Sequence, residues 1–219
     1  PDPDAGRRWP DVNSRENAGT AGNGTEGDGL ERGADSIPLD KVCFEPMRVT
    51  DLDEVLAIEN RSFTTPWSRA AYHRELVTNG YAAYIVGRLG GKVVSYGGMW
   101  VILDEAHITN IAVHPNLRNR GLGRLTMLAL ERKAAELGAS RMTLEVRVSN
   151  AVARHLYESL GFRGTGIRRN YYSDTHEDAI VMWKDIAPSE NGRVGGGPSS
   201  GPSVGPPARP RPGGGGKSV

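Results

Sequence analysis

With 219 residues, 37% of them hydrophobic, the chain can bury one substantial core or two small ones. A formal net charge of +1 argues against the strong cationic field of a nucleic-acid or anionic-membrane binder. The one cysteine, Cys43, excludes an intrachain disulfide and a cysteine-based metal cluster, and it reads as a small buried apolar residue. No apolar run is long enough for a membrane span and no signal-peptide core is visible, so a cytoplasmic protein is expected.

Residues 1–40 are rich in Gly, Asp, Asn and Arg. They hold too little apolar surface to offset the entropy of ordering, and a disordered extension is expected. Residues 42–49 read as a strand. Thr50 is a candidate cap for a helix whose stripe is Leu52, Val55, Leu56 and Ile58, running through Glu59. Ser68 is a candidate cap for a second helix to about residue 78. Residues 81–88 and 93–103 read as strands joined by a turn containing Gly90-Gly91. A strand at 107–113 follows, then a helix at 122–137 ended by Gly138. Residues 141–148 read as a strand and 150–160 as a helix ended by Gly161. Strands at 162–169 and 178–184 close the pattern. Strands and helices mixed in this order predict an α/β or α+β layered domain over residues 41–186. Residues 187–219 form a Gly/Pro-rich tail, expected to be disordered. Its Arg209-Pro210-Arg211-Pro212 piece fits a weak docking motif or, more plainly, an inert linker.

Arg118-Asn119-Arg120-Gly121-Leu122-Gly123 lies where the 107–113 strand gives way to the 122–137 helix. The first amides of a helix lack internal partners, and the helix dipole adds partial positive charge there. A glycine-rich turn at that point predicts an anion site, above all for phosphate. The spacing is neither that of the Walker lysine loop nor Gly-x-Gly-x-x-Gly. A plain pair of loop glycines is the alternative.

Other motifs surround this loop. Asn110-Ile111-Ala112-Val113-His114-Pro115 precedes it. Leu144-Glu145-Val146-Arg147, Ser149-Asn150-Ala151 and Leu156-Tyr157-Glu158-Ser159-Leu160-Gly161-Phe162 follow it. In this order they resemble the GCN5-related N-acetyltransferases, which bind acetyl-CoA. Phe63 with Pro66-Trp67-Ser68, Arg168-Arg169-Asn170-Tyr171-Tyr172 and Glu177-Asp178-Ala179 narrow the likeness to the bacterial ribosomal-protein-alanine N-acetyltransferase subfamily. The likeness covers about residues 42–186. It implies a mixed, mostly antiparallel sheet of seven strands flanked by about four helices and splayed between the fourth and fifth strands.

The resemblance also implies a site. Backbone amides of Arg118, Asn119, Arg120, Gly121, Leu122, Gly123 and Arg124 would cradle the pyrophosphate of acetyl-CoA, and no metal is implied. A side chain at Gly121 or Gly123 would obstruct that approach. Asn150, a favoured N-cap in its own right, would also bond to the cofactor. Amides of Ile111, Ala112 and Val113 would polarise the acetyl carbonyl, on a strand bulged in the family.

Glu145 would be the general base, directly or through water, and Tyr157 the general acid. In residues 142–148 the period is two, with Glu145 on the face shared by Thr143 and Arg147. A carboxylate there needs a partner or a wet cleft, and an ion pair with Arg147 is the plainer use. Tyr157 falls two turns after Asn150, and a half-buried structural tyrosine is its plainer use.

Phe63 and Trp67, with Tyr171 and Tyr172, would flank the acceptor channel or simply cover the core edge. Asp104 and Glu105 would attract a basic acceptor. At pH 7 deprotonating an α-amine costs about 1 kcal/mol against about 4.6 for lysine, which favours a peptide N-terminus. The implied acceptor is the N-terminal alanine of a small-subunit ribosomal protein. The rival readings are an acetyltransferase for lysine or a small-molecule amine, and a non-catalytic acyl-CoA sensor.

Overall fold

The computed structural model describes residues 37–187. Nearly all of both expected tails, including the 209–212 piece, lies outside the described residues.

The elements follow the predicted order. They are β1 (Cys43–Pro46), α1 (Leu52–Asn60), α2 (Arg69–Val77), β2 (Ala82–Leu89), β3 (Lys92–Ile102), β4 (Glu105–Val113), α3 (Leu122–Glu136), β5 (Arg141–Arg147), α4 (Ala151–Ser159), β6 (Arg163–Arg168) and β7 (Ala179–Asp185). The first strand is shorter than expected, because a 3₁₀ turn at Val49–Asp51 takes its place. Asp51 rather than Thr50 precedes α1. Its carboxylate accepts from the Arg48 amide at 2.9 Å and from Arg88 at 2.7 Å, which ties the turn to β2. Ser68 caps α2 as expected, accepting from the Ala71 amide at 3.2 Å.

The strands form one seven-stranded sheet in the order β1-β2-β3-β4-β5-β7-β6. All neighbours are antiparallel except β4 and β5. Those two pair only where Glu105–His107 meet Arg141–Thr143. Beyond that they diverge, leaving a gap between their C-terminal halves. A bulge in β4 sits at the start of the gap. Gly98 opposes Asn110 and Met99 opposes Ile108, so Thr109 is the extra residue. Such a bulge bends a strand and increases its twist. Gly98 is required there, since a Cβ would lie 2.0 Å from the Tyr84 ring.

Helices cover both faces of the sheet. One buried cluster joins Met99, Ile108 and Ile111 to Met127 and Leu130 of α3, Leu144 and Val146 of β5, and Tyr157. The other joins Leu52, Val55 and Ile58 of α1 to Tyr72, Tyr84, Tyr96 and Ala112. Adjacent residues Ile111 and Ala112 therefore serve opposite cores, as the two-residue period of a strand requires. Each fully buried leucine, such as Leu130 or Leu144, contributes about 1.5–3 kcal/mol. Ile37 and Leu39 pack on a third cluster with Leu117 and Leu122, so the domain begins before residue 41. Cys43, expected to be buried, is exposed on β1. Only four residues long and at the sheet edge, β1 has no room to bury it. No helix among the described residues is long and apolar enough to cross a membrane.

Candidate active site

The gap has two lips, and β4 is the first. The His114 amide donates to the Val94 carbonyl at 2.9 Å, towards β3. Amides alternate edges along a strand. Those of Val113 and Ile111 therefore face the gap, whereas that of Ala112 faces β3. The expected trio of amides thus splits by alternation, with the bulge just ahead of it.

The 118–124 loop lies at the mouth of the gap, between β4 and α3. Asn119 and Gly121 have φ of 62° and 87°. Gly121 is the N-cap of α3 and no side chain caps this helix end. The first amides of a helix lack helical partners, which is the arrangement an anion site uses. Gly121 is needed for its backbone conformation. A Cβ on Gly123 would sit 3.4 Å from Leu156 and 3.9 Å from Val113, so it points at the neighbouring elements. The arginines divide their work. Arg118 turns inward, donating to the Val113 carbonyl at 3.2 Å and to Ser62 Oγ at 2.7 Å. Arg124 donates to Ser159 Oγ of α4 at 3.2 Å.

The second lip is β5. Leu144 and Val146 enter the α3/α4 core, and Glu145 and Arg147 take the other face. Glu145 is only 4% exposed, and its Oε1 lies 3.3 Å from Arg168 Nε. Arg147, its expected partner, contacts the β6–β7 connection. It contacts both carboxylate oxygens of Asp174 at 2.8 Å and stacks 4.0 Å from the Tyr172 ring. It also donates to Glu177 at 3.3 Å. Burial alone would raise the Asp174 carboxyl, but the Arg147 hydrogen bonds and charge hold it below the usual range. Asp174 also accepts from Thr64 Oγ1 at 3.1 Å. One carboxylate thereby joins the α1–α2 connection to the β6–β7 connection.

The predicted aromatics sit in these two connections. Tyr171 and Tyr172 form a small buried cluster with Ala179. Phe63 and Trp67 belong to the α1/α2 core, with the Trp67 ring 5.4 Å from that of Tyr72. Asp104 and Glu105 lie at the closed end of the gap, where Arg141 pairs with Glu105 at 2.5 Å. Asp104 also accepts from Ser140 at 3.0 Å.

Asn150 caps α4 by accepting from the Ala153 amide at 3.0 Å. Two turns on, Tyr157 is fully buried beside Phe162, in the cluster that also holds Ile111 and Leu144. It therefore lies on the sheet face opposite to Glu145.

A further carboxylate escapes the sequence reading. Glu59, 1% exposed, accepts from the Trp67 amide at 2.9 Å, the Tyr72 phenol at 2.9 Å, and the Tyr96 phenol. Burial pushes its carboxyl up to about 7 despite these donors. A signal was present: Glu59 follows Leu52 and Val55 at helical spacing, on the apolar stripe where a charge is out of place. Asp174 and Arg168 carried no such signal, since their partners are remote in sequence.

The profile of the acetyltransferase (GNAT) family matches residues 52–162. The chain belongs to this family, and its splayed sheet, helices and gap are those of an acetyltransferase. More particularly, it is 42% identical over 146 residues to the putative [ribosomal protein bS18]-alanine N-acetyltransferase of Bacillus subtilis (strain 168), covering 67% of this chain and 97% of the relative. It is 41% identical over 140 residues to the [ribosomal protein bS18]-alanine N-acetyltransferase of Escherichia coli (strain K12), covering 62% and 92%. The crystal structure of the ribosomal-protein-S18-alanine N-acetyltransferase from Escherichia coli superimposes with a TM-score of 0.62 at 36% identity, covering 69% of this chain and 97% of that one.

Proposed function

We propose that the protein transfers acetyl from acetyl-CoA to the N-terminal α-amine of a protein, with the N-terminal alanine of a small-subunit ribosomal protein as acceptor. The observation that carries this reading is the position of Glu145. It stands on the β5 lip, on the face covered by the connection that holds Tyr171, Tyr172 and Asp174. The substrate named for the bacterial relatives supports the choice of acceptor.

Acetyl-CoA would supply a thioester carbonyl as the electrophile. The uncapped amides of Leu122, Gly123 and Arg124, with the turn formed by Arg118, Asn119, Arg120 and Gly121, would hold its pyrophosphate. The gap-facing amides of Ile111 and Val113 would donate to its carbonyl and amide oxygens. Asn150 would bond to it from the cap of α4. Glu145 takes a proton from the α-ammonium, directly or through water, at a cost of about 1 kcal/mol at pH 7. Tyr157, on the opposite side of the gap, returns a proton to the departing sulfur. Phe63, Trp67, Tyr171 and Tyr172 shape the acceptor entrance through the connections they anchor. The expected place of action is the cytoplasm.

Mass spectrometry of a peptide series tests this reading. Peptides starting with Ala, Ser, Gly, Met or Lys, each with an internal lysine, are incubated with protein and acetyl-CoA. Acetyl on the α-amine, strongest for alanine, is expected. Acetyl on the internal lysine alone overturns the acceptor assignment.

A further inference from the structure

We propose that Glu59 is a positioning residue for the acceptor, clamping the α1–α2 connection to the bulged lip of β4. The inference rests on the proposed reading of that connection as one wall of the acceptor site. Glu59 touches no reacting atom, and it acts through a chain of hydrogen bonds. The Trp67 amide, within the connection, donates to Oε1 at 2.9 Å. The Tyr72 phenol of α2 donates to Oε2 at 2.9 Å. The Tyr72 oxygen in turn accepts from Asn110 Nδ2 at 2.6 Å. Asn110 follows the bulged Thr109 and precedes Ile111, whose amide faces the gap. Trp67 and the lip of β4 are thus joined through consecutive bonded groups.

The joint has a defined polarity. Tyr96 of β3 also donates to Oε2, so the carboxylate receives three donors and contributes none. An ionised carboxylate accepts all three directly. Thr109 is held as well, its hydroxyl 3.1 Å from that of Tyr84. Both residues at the bulge are therefore anchored to buried phenols. Packing alone asks for a leucine or methionine at position 59, on a stripe shared with Leu52 and Val55. A charge in its place costs stability and supplies directionality: it draws the connection and α2 to one point and sets Asn110 through Tyr72.

Acceptor and donor kinetics, measured separately, test this. Glu59→Gln keeps the shape and removes the charge, and Tyr72→Phe removes the hydrogen-bonded link to Asn110 of β4. Each is expected to raise the KM for an alanine-starting peptide about tenfold, with kcat and the KM for acetyl-CoA within about twofold of wild type. Tyr96→Phe removes a donor to Glu59 that is not part of the Trp67–Glu59–Tyr72–Asn110 chain, and its peptide KM is expected to stay within about threefold. Equal losses for peptide and acetyl-CoA, or an unchanged peptide KM in Tyr72→Phe, overturn the proposal. Should Glu59→Gln fail to fold, Tyr72→Phe decides. Hydrogen exchange of the Trp67 amide, read by NMR without substrates, is expected to speed up about tenfold in Glu59→Gln. Unchanged exchange refutes the clamp. If the wild type acetylates no peptide α-amine while exchange still accelerates, the acceptor reading fails and the clamp stands.

Discussion

The two sides of the β4/β5 gap are built by different means. On the α3 side, consecutive residues 115–124 do the work with their backbone: one 3₁₀ turn, two positive φ values and a helix that starts on a glycine. On the β5 side, side chains far apart in sequence meet: Thr64 with Asp174, Arg147 with Asp174, and Arg168 with Glu145. On the first side the turn is set by backbone conformation, with Arg118 tying it to Val113 and Ser62. The second is held by charges in a partly dry setting, where geometry and protonation both matter. Substitutions on one side are therefore expected to act on acetyl-CoA, and on the other side on the acceptor.

The largest effect is expected at Glu145. Glu145→Gln should lower turnover about 10²- to 10⁴-fold at neutral pH. Acetyl-CoA affinity, measured by calorimetry, should stay unchanged. Wild-type activity across pH in this variant would remove Glu145 from the mechanism.

Next comes pH. The Glu59 carboxyl is raised from 4.5 to about 7 in the folded protein by burial. Its unfolded form ionises first, so its contribution to stability is fully present below about pH 4.5 and is lost as pH rises to about 7. The loss is on the order of 3 kcal/mol. Asp174, Glu177 and Asp178, each held below the usual range, act the other way and only in more acidic solution. Urea denaturation of wild type and Glu59→Gln between about pH 5 and about pH 8 should give the Glu59 contribution as the difference between the two curves.

On the loop side, Gly121→Val places a β-branched residue at φ 87°. It should cost about 1–3 kcal/mol in thermal unfolding and raise the KM for acetyl-CoA, leaving the KM for peptide unchanged. On the other side, Arg147→Lys loses the guanidinium's simultaneous contacts with Asp174 and Glu177 and its stack on Tyr172, and should raise the peptide KM about tenfold. If each variant instead changed the KM of the other substrate, the two sides would be one unit. Arg124→Ala removes an exposed contact with Ser159, and a stability change within about 0.5 kcal/mol is expected.

Local pattern was enough for much of this protein. Apolar periodicity located all seven strands and four helices to within a few residues, and glycines at 138 and 161 marked helix ends that carry φ of 90° and 91°. The loop at 118–123 was legible because its role is backbone conformation, which neighbouring residues dictate. The place of Glu145 on β5, on the face away from Leu144 and Val146, was legible through strand alternation, and its role as base is a proposal that rests on the family resemblance. Tertiary structure decided the rest. It turned Arg118 away from solvent, gave Arg147 to Asp174 and Arg168 to Glu145, and left Cys43 exposed at an edge. It also brought Trp67, Tyr72, Tyr96 and Asn110 around or next to Glu59. The physical reason is range. Periodicity, capping and positive φ are settled within a few residues, whereas the partner of a buried charge is whatever group the folded chain places within about 3 Å of it.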